Sequence, residues 1–437
     1  MINSIGIRRE TRDRTQRRSP LSPGQVRALI EEHQLRVVVE PWDQRIFPDD
    51  AYRGVGAIIS EDLASCNIIF GVKEIAPEFM WDDAVYCFFS HTIKGQSYNM
   101  PMLQRILDGG ITLFDYELVK DENEKRLVFF GDYAGYAGMI DVLWAFGRRL
   151  AWEGMETPFA DIRYATSYDR LSDAEDALRN VAARIETSGL PRELVPLVTA
   201  FTGYGHVSRS AQKLYDILPS RTIAASELPA FMKAGDFSDR HVYKVEFTKP
   251  DLYAHREGTV PFAIDELNSH PERFVGIFEH AVPHCTLIVN GIYWEPRFPR
   301  LLTKGSVRGL YDSVSTPRLR VIGDITCDID GSIELTVKET DAENPVYVYD
   351  PASETVRDGW EGRGPVVLAV DKLPTELPLE ASEEFGRALM PFVPHLAGAD
   401  YRLPADTLSI PPEFRRALIA YRGELTPPFS YLRRYLP

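Results

Sequence analysis

Residues 197–218 read LVTAFTGYGHVSRSAQKLYDIL. The run Leu197–Thr202 is apolar or β-branched and predicts a buried strand, and Val207–Leu218 carries helical periodicity. Between them stand Gly203-Tyr-Gly205, with His206, Val207 and Ser208 opening the helix. In such a unit the first glycine makes the turn and the second lets backbone approach a pyrophosphate. The helix N-terminus supplies N–H donors and a positive dipole end. Ser208 stands where a third glycine is usual; it is small and can donate a hydrogen bond. A bare glycine pair also occurs in ordinary strand–turn–helix loops. The strand before it and the helix after it favour a dinucleotide site built on Gly203, Gly205, His206, Val207 and Ser208.

The strand after that helix normally ends in an acid that binds the ribose hydroxyls and repels a 2′-phosphate. The segment Arg221-Thr-Ile-Ala-Ala-Ser226 is the expected second strand; it ends without a carboxylate, and Glu227 comes late. Ser226 can donate to a phosphate oxygen, and Arg221 or Arg209 can supply charge. NADPH is therefore expected to be preferred over NADH.

Upstream, strands and helices alternate. Apolar runs fall near Ile5–Arg8, Leu35–Glu40, Ala57–Ile59, Ile68–Val72 and Val85–Phe89. Ser22, Pro23 and Gln25 form an N-terminal helix signature with a capping box. This is α/β logic with a mostly parallel sheet. Residues 131–152, GDYAGYAGMIDVLWAFGRRLAW, predict a long helix in which Gly135 and Gly138 permit close approach of another backbone. Ser172 and Glu175 form a second capping box. The expected organisation is a substrate domain over 1–153, a helical connector over 154–193 and a Rossmann domain over 194–373, with strands also at Cys285–Val289 and Leu319–Ile325. A helical, proline-punctuated tail over 374–437 returns to the first domain.

Composition limits the alternatives. The chain has 437 residues, 44% apolar and 26% charged, with net charge −15. Nucleic acid is not an expected partner, because phosphate binding needs a basic face. The basic residues Arg8, Arg9, Arg12, Arg14, Arg17 and Arg18 cluster near the N-terminus. Glu10 and Asp13 interrupt them and no apolar region follows, which argues against a transit peptide. No apolar run suits a membrane span. Cys66, Cys87, Cys285 and Cys327 lack metal-ligand spacing and read as reduced thiols of a cytoplasmic protein without a metal site.

Two polar clusters follow strand ends, where open α/β sheets bind ligands. Lys73 and Glu74 follow Ile68–Val72, and His91 and Lys94 follow Val85–Phe89. Lys73 and His91 are the acid/base candidates, with Lys94 a nearby charge. Each alone has a plain alternative as a solvated surface residue; two after consecutive strands favour a site. A desolvated lysine beside another cation can act as a base, and histidine titrates near neutrality.

The pair Lys73-Glu74, the segment FSHTIK over 89–94 and the tract LFDYELV…KRLVFFGDYAGYAGM (113–119 and 125–139) together resemble the saccharopine dehydrogenases. The resemblance is in particular to the lysine–ketoglutarate reductase half of the bifunctional aminoadipic semialdehyde synthases. Asn290–Glu295, Pro299–Thr303 and Gly323–Glu334 extend it over nearly the whole chain. It implies two Rossmann-like domains with a central cleft, as in alanine dehydrogenase, and a stand-alone reductase ending where the bifunctional proteins continue. It places Lys73 and His91 as the acid/base pair and Arg18 as a carboxylate-binding arginine. Glu74, Lys94, Glu117, Arg126 and Asp324 fall on matching active-site positions. The implied reaction is NAD(P)H-dependent condensation of L-lysine with 2-oxoglutarate to saccharopine, or its reverse. The residues leave open another amine or 2-oxo acid, or a non-catalytic nucleotide- or amino-acid-binding regulator. Small molecules are the expected partners, and the sequence does not fix an oligomeric state.

Overall fold

The computed structural model describes residues 3–11 and 16–437. The chain forms two compact units, Met1–Phe130 with Pro378–Pro437, and Gly131–Leu377. Arg12, Asp13 and Arg14 of the basic cluster lie outside the described residues.

In the first unit, β1 (Ser4–Ile7), β2 (Arg36–Val39), β3 (Ile58–Ile59), β4 (Ile68–Phe70), β5 (Val85–Phe88) and β6 (Thr112–Asp115) run parallel. Their order is β6-β5-β4-β1-β2-β3. Both faces are covered, so these strands read as continuous apolar runs. Ile5, Ile7, Ile68, Phe70 and Cys87 enter one core, whereas Ile69, Tyr86, Phe88 and Leu113 enter the other. The helix Pro23–His33 begins at the Ser22–Gln25 capping box.

The second unit contains β7 (Leu197–Thr202), β8 (Ser220–Thr222), β9 (Val242–Phe247), β10 (Tyr253–His255), β11 (Phe274–Gly276), β12 (Leu287–Asn290), β13 (Val321–Asp324), β14 (Val346–Asp350), β15 (Thr355–Asp358) and β16 (Val366–Leu368). Its sheet runs β15-β14-β16-β13-β12-β7-β9-β8, with β10 and β11 paired separately. The chain leaves β7 to one side for β8 and β9, then crosses to β12 on the other. That reversal is the topological switch point at which such sheets bind ligands.

Two boundaries differ from the sequence expectation. The helix Gly131–Trp152 belongs to the second unit, as do residues 154–193. Its small face explains this: a Cβ on Gly135 would sit 2.2 Å from the Val207 carbonyl oxygen and 2.9 Å from the Ala211 nitrogen. The helix is thus packed directly on His206–Tyr215. The helix Leu171–Ser188 is capped at Arg170, two residues before the expected Ser172, with the Arg170 N–H donating to Asp173 at 3.2 Å.

From Pro378 the chain is again part of the first unit. Helices Pro378–Leu389, Val393–Gly398 and Pro412–Arg416 are followed by two strands, β17 (Leu418–Tyr421) and β18 (Glu424–Leu425). The tail was expected to be helical; β17 instead pairs antiparallel with β6 and completes an eight-stranded sheet. Among the described residues, no helix is long and apolar enough to cross a membrane. All four cysteines are buried and unpaired.

Candidate active site

The carboxyl ends of β1, β4, β5 and β6 are neighbours in the first sheet, so the loops leaving them meet. Lys73 and Glu74 follow β4, and His91 follows β5. His91 Nδ1 lies 2.6 Å from Glu74 Oε1. A carboxylate at that nitrogen favours the Nδ1–H tautomer and leaves Nε2 to exchange protons. Lys73 is half-buried beside this pair in sequence, its main chain held by a long-range contact.

That contact comes from Glu10, a residue read in the sequence only as an interruption of basic charge. Its two carboxylate oxygens accept from the Val72 N–H at 2.7 Å and the Lys73 N–H at 2.9 Å. Glu10 is buried, and desolvation raises its pKa against the opposing pull of those two donors and of Arg8 and Arg18.

The His91 loop is fixed from several directions. Asp115, at the end of β6, accepts from Ser90 N–H at 3.1 Å and Ser90 hydroxyl at 2.5 Å. Its other oxygen accepts from the Glu117 N–H at 2.8 Å. Burial pushes Asp115 up to about 6. Asn99 donates to the His91 carbonyl at 3.2 Å. His91 itself has φ +49°, a left-handed conformation uncommon for such a side chain. A non-glycine residue held there needs the surrounding structure to over-determine it, and such residues gather at functional sites.

Arg18 is buried, with Nε donating to Gln16 at 2.8 Å. Its guanidinium carbon lies 4.0 Å from the centre of the Phe130 ring. Burial lowers its pKa to about 10, partly offset by Glu10. Among the described residues no carboxylate forms an ion pair with it. Phe130 stacks on Phe385 at 4.5 Å, and Phe89 contacts Phe130, Phe385 and the His91 ring. One aromatic cluster therefore supports both Arg18 and His91. A desolvated guanidinium on an aromatic base suits bidentate capture of a carboxylate.

The remaining candidates divide. Glu117 and Arg126 pair with each other at 2.5 Å, with Arg126 half exposed. Lys94 is exposed three residues past His91. Asp324 lies in the second unit, at the end of β13. Its carboxylate accepts from Asn290 at 2.8 Å, Thr326 at 2.6 Å and Thr336 at 2.5 Å. In this arrangement Asp324 ties the ends of β12 and β13 together.

The glycine turn lies between the strand Leu197–Thr202 and the helix His206–Tyr215. Gly203 has φ +86°, and a Cβ there would meet the Gly291 carbonyl oxygen and Ile292 Cα at 3.1 Å. At Gly205 a Cβ would meet nothing within 4 Å, so the space before the helix His206–Tyr215 is open. His206 pairs with Asp132 at 3.1 Å, Val207 is half-buried, and Ser208 is buried, accepting from Gln212 at 3.2 Å. A glycine cradle opening onto a helix N-terminus fits a dinucleotide pyrophosphate.

The second-strand assignment is corrected. The strand beside β7 is β9, and β8 pairs with β9 at the sheet edge. Arg221 is level with Tyr243, and Tyr243 with Val198. It therefore sits five residues down the strand from Gly203, roughly 16 Å away along the sheet. Ser226 lies beyond β8 on the exposed turn Ala225–Glu227. The end of β9, not Arg221, is level with Gly203.

Comparison with known proteins agrees with this architecture. Residues 6–137 match the family described as alanine dehydrogenase/PNT, N-terminal domain. The fold is similar to that of an L-alanine dehydrogenase, with TM-score 0.62 and 19% identity over 99% of this chain and 100% of that one. It is also similar to a transhydrogenase from Sinorhizobium meliloti, with TM-score 0.52 and 13% identity over 98% of this chain and all of that one. The fold is thus that of an α/β protein of two Rossmann-like units. In sequence the chain is 37% identical to alpha-aminoadipic semialdehyde synthase of Arabidopsis thaliana, over 98% of this chain and 41% of that protein. It is 34% identical to the mitochondrial enzyme of that name from Rattus norvegicus, over 98% of this chain and 47% of that protein. Saccharopine dehydrogenase [NAD(+), L-lysine-forming] of Emericella nidulans is 27% identical over 89% of this chain and 91% of its own length. The chain is thus similar in sequence to the aminoadipic semialdehyde synthases and, at lower identity, to a saccharopine dehydrogenase. It spans less than half the length of the two semialdehyde synthases it matches.

Proposed function

We propose that this chain condenses the side-chain amine of L-lysine with 2-oxoglutarate and reduces the product to saccharopine, with NADPH as reductant. The observation that carries the reading is the Glu74–His91 contact at 2.6 Å, formed beside Lys73 on adjacent strand ends. Every step of such a condensation moves a proton, and two placed groups suit that requirement.

Lys73 takes a proton from the attacking amine as its nitrogen bonds the keto carbon. His91 Nε2 delivers a proton to the carbonyl oxygen to give the carbinolamine, and the proton held by Lys73 then passes to that hydroxyl, which leaves as water as the protonated imine forms. Glu74 holds the imidazole and balances its charge when it is protonated. Arg18 grips a carboxylate of the keto acid and orients the carbon to be attacked, with Arg126 and Lys94 as further cations for the acid groups of both substrates. Glu117 orients Arg126, and Asp324 steadies the strand ends of the second unit. Gly203, Gly205 and the first N–H groups of the helix His206–Tyr215 hold the pyrophosphate. When bound, the reduced nicotinamide supplies a hydride to the imine carbon. The buried thiols suit a reducing compartment, the cytoplasm.

The test is NADPH oxidation by the purified chain with lysine and 2-oxoglutarate, with mass spectrometry of the product. Saccharopine formed only when both substrates are present supports the reading. Oxidation with a different amine or 2-oxo acid, and none with this pair, overturns it.

A further inference from the structure

We infer that Lys249 is the residue that recognises the 2′-phosphate of the nucleotide. This deepens the NADPH reading above and rests on it.

The argument begins with register. Thr202 pairs with Phe247, and the Gly203 N–H donates to the Phe247 carbonyl at 3.1 Å. The residue opposite the first glycine is therefore Thr248. In a Rossmann unit this is the place of the acid that binds the ribose of NAD, or of the groups that accept a 2′-phosphate. Here it holds Thr248, whose hydroxyl donates to Asp251, followed by the ammonium of Lys249.

The neighbouring acids are all engaged. Glu246 accepts from Gln212 at 2.7 Å, one residue short of the strand end. Asp251 accepts from the Thr248 N–H at 2.9 Å and its hydroxyl at 2.6 Å. Glu295 accepts from Arg297 Nε at 2.8 Å. Lys249 forms no ion pair among the described residues. Its Nζ lies 5.6 Å from the centre of the Phe298 ring, and the Arg297 guanidinium carbon lies 4.7 Å from the same ring. Phe298 sits on the loop after β12, which also carries Gly291 and Ile292 against Gly203. One ring thus gathers two cations beside the glycine turn. Half-buried Lys249 is the one without a carboxylate.

Binding separates the possibilities without turnover. Dissociation constants for NADPH, NADH and 2′,5′-ADP are measured by calorimetry on the wild type and on Lys249→Met, Lys249→Arg, Arg221→Ala and Glu246→Gln. Losing one charge-assisted phosphate contact predicts about tenfold or greater weakening of NADPH and 2′,5′-ADP in Lys249→Met. NADH binding should stay within about twofold, which also reports that the variant is folded. Lys249→Arg should recover most of the loss. The inference is overturned if Lys249→Met weakens both nucleotides alike or neither, or if Arg221→Ala produces the selective loss. It is also overturned if the wild type prefers NADH and Glu246→Gln removes that preference. Failure of the wild type to bind either nucleotide would instead sink the oxidoreductase reading itself.

Discussion

His91 Nδ1 and Glu74 Oε1 are 2.6 Å apart, although the two residues leave different strands. Glu74 is buried, so the histidine meets a carboxylate that water scarcely screens. If the pair moves protons, His91→Ala and Lys73→Met should each lower turnover by roughly 10²–10⁴. Glu74→Gln should lower kcat and alter the pH profile, because an amide can orient the imidazole but cannot balance its charge. Calorimetric NADPH affinity should be unchanged in all three. Near-normal turnover in both His91→Ala and Lys73→Met would remove them from the reaction.

Arg18 offers a guanidinium without a carboxylate partner among the described residues. Arg18→Ala should raise KM for 2-oxoglutarate at least about tenfold, the worth of one charge-assisted hydrogen bond. Arg18→Lys should restore little, because an ammonium lacks the planar fork. An unchanged KM in Arg18→Ala would show that the arginine serves only its aromatic cluster.

Asp115 makes the first unit sensitive to pH. Its pKa is raised from 3.8 to about 6 by burial, so the native state holds this proton more tightly than the unfolded chain. Stability from this group is full below about pH 4 and is lost as pH rises through about 6. The shift of about two units corresponds to roughly 3 kcal/mol. Asp115→Asn loses hydrogen bonds to the Ser90 loop, and its cost relative to wild type should shrink as pH rises from 4 to 7. Urea unfolding of both proteins at matched salt checks this. A cost that grows with pH would contradict the assignment.

Asp141, Glu376 and Tyr164 form a buried acid cluster in the second unit. Tyr164 donates its hydroxyl to Glu376, and the Ala165 N–H donates to Asp141 at 2.8 Å. Desolvation, with mutual repulsion, raises Asp141 well above its usual range; desolvation also raises Glu376. The folded state therefore retains a proton between the two acids, and its stability falls as pH rises through the raised values. Asp141→Asn supplies a permanent donor and should be at least as stable as wild type at pH 8. Tyr164→Phe should cost about 1–3 kcal/mol by leaving a buried acceptor unpaired. Thermal unfolding of the two variants at pH 6 and 8 decides; a strong loss in Asp141→Asn would argue against a shared proton.

Gly135 sets how closely the helix Gly131–Trp152 approaches the helix that opens the nucleotide site. A Cβ there would overlap the Val207 carbonyl oxygen at 2.2 Å, and backbone cannot step aside as a side chain can. Gly135→Ala should cost about 1–3 kcal/mol and weaken NADPH binding, because residues 206–208 must shift. Unaltered stability and affinity would mean that the helices separate freely.

The sequence by itself determined what depends on near neighbours. The glycine turn between Leu197–Thr202 and its helix, the Ser22–Gln25 capping box, and Lys73 and His91 just past strand ends all follow from local patterning. The tertiary structure decided which distant segments meet. Ser220–Thr222 is short and exposed and suits a sheet edge, whereas Val242–Phe247 is mostly buried and fits beside β7. Sequence order alone suggested the opposite pairing and put the ribose at Arg221 and Ser226. Glu10 reaches the Lys73 amide across 63 positions, and Asp115 reaches Ser90 across 25. A buried carboxylate must find donors wherever the fold brings them. No periodicity records that choice, so the acids that hold the candidate site were legible only once the chain had folded.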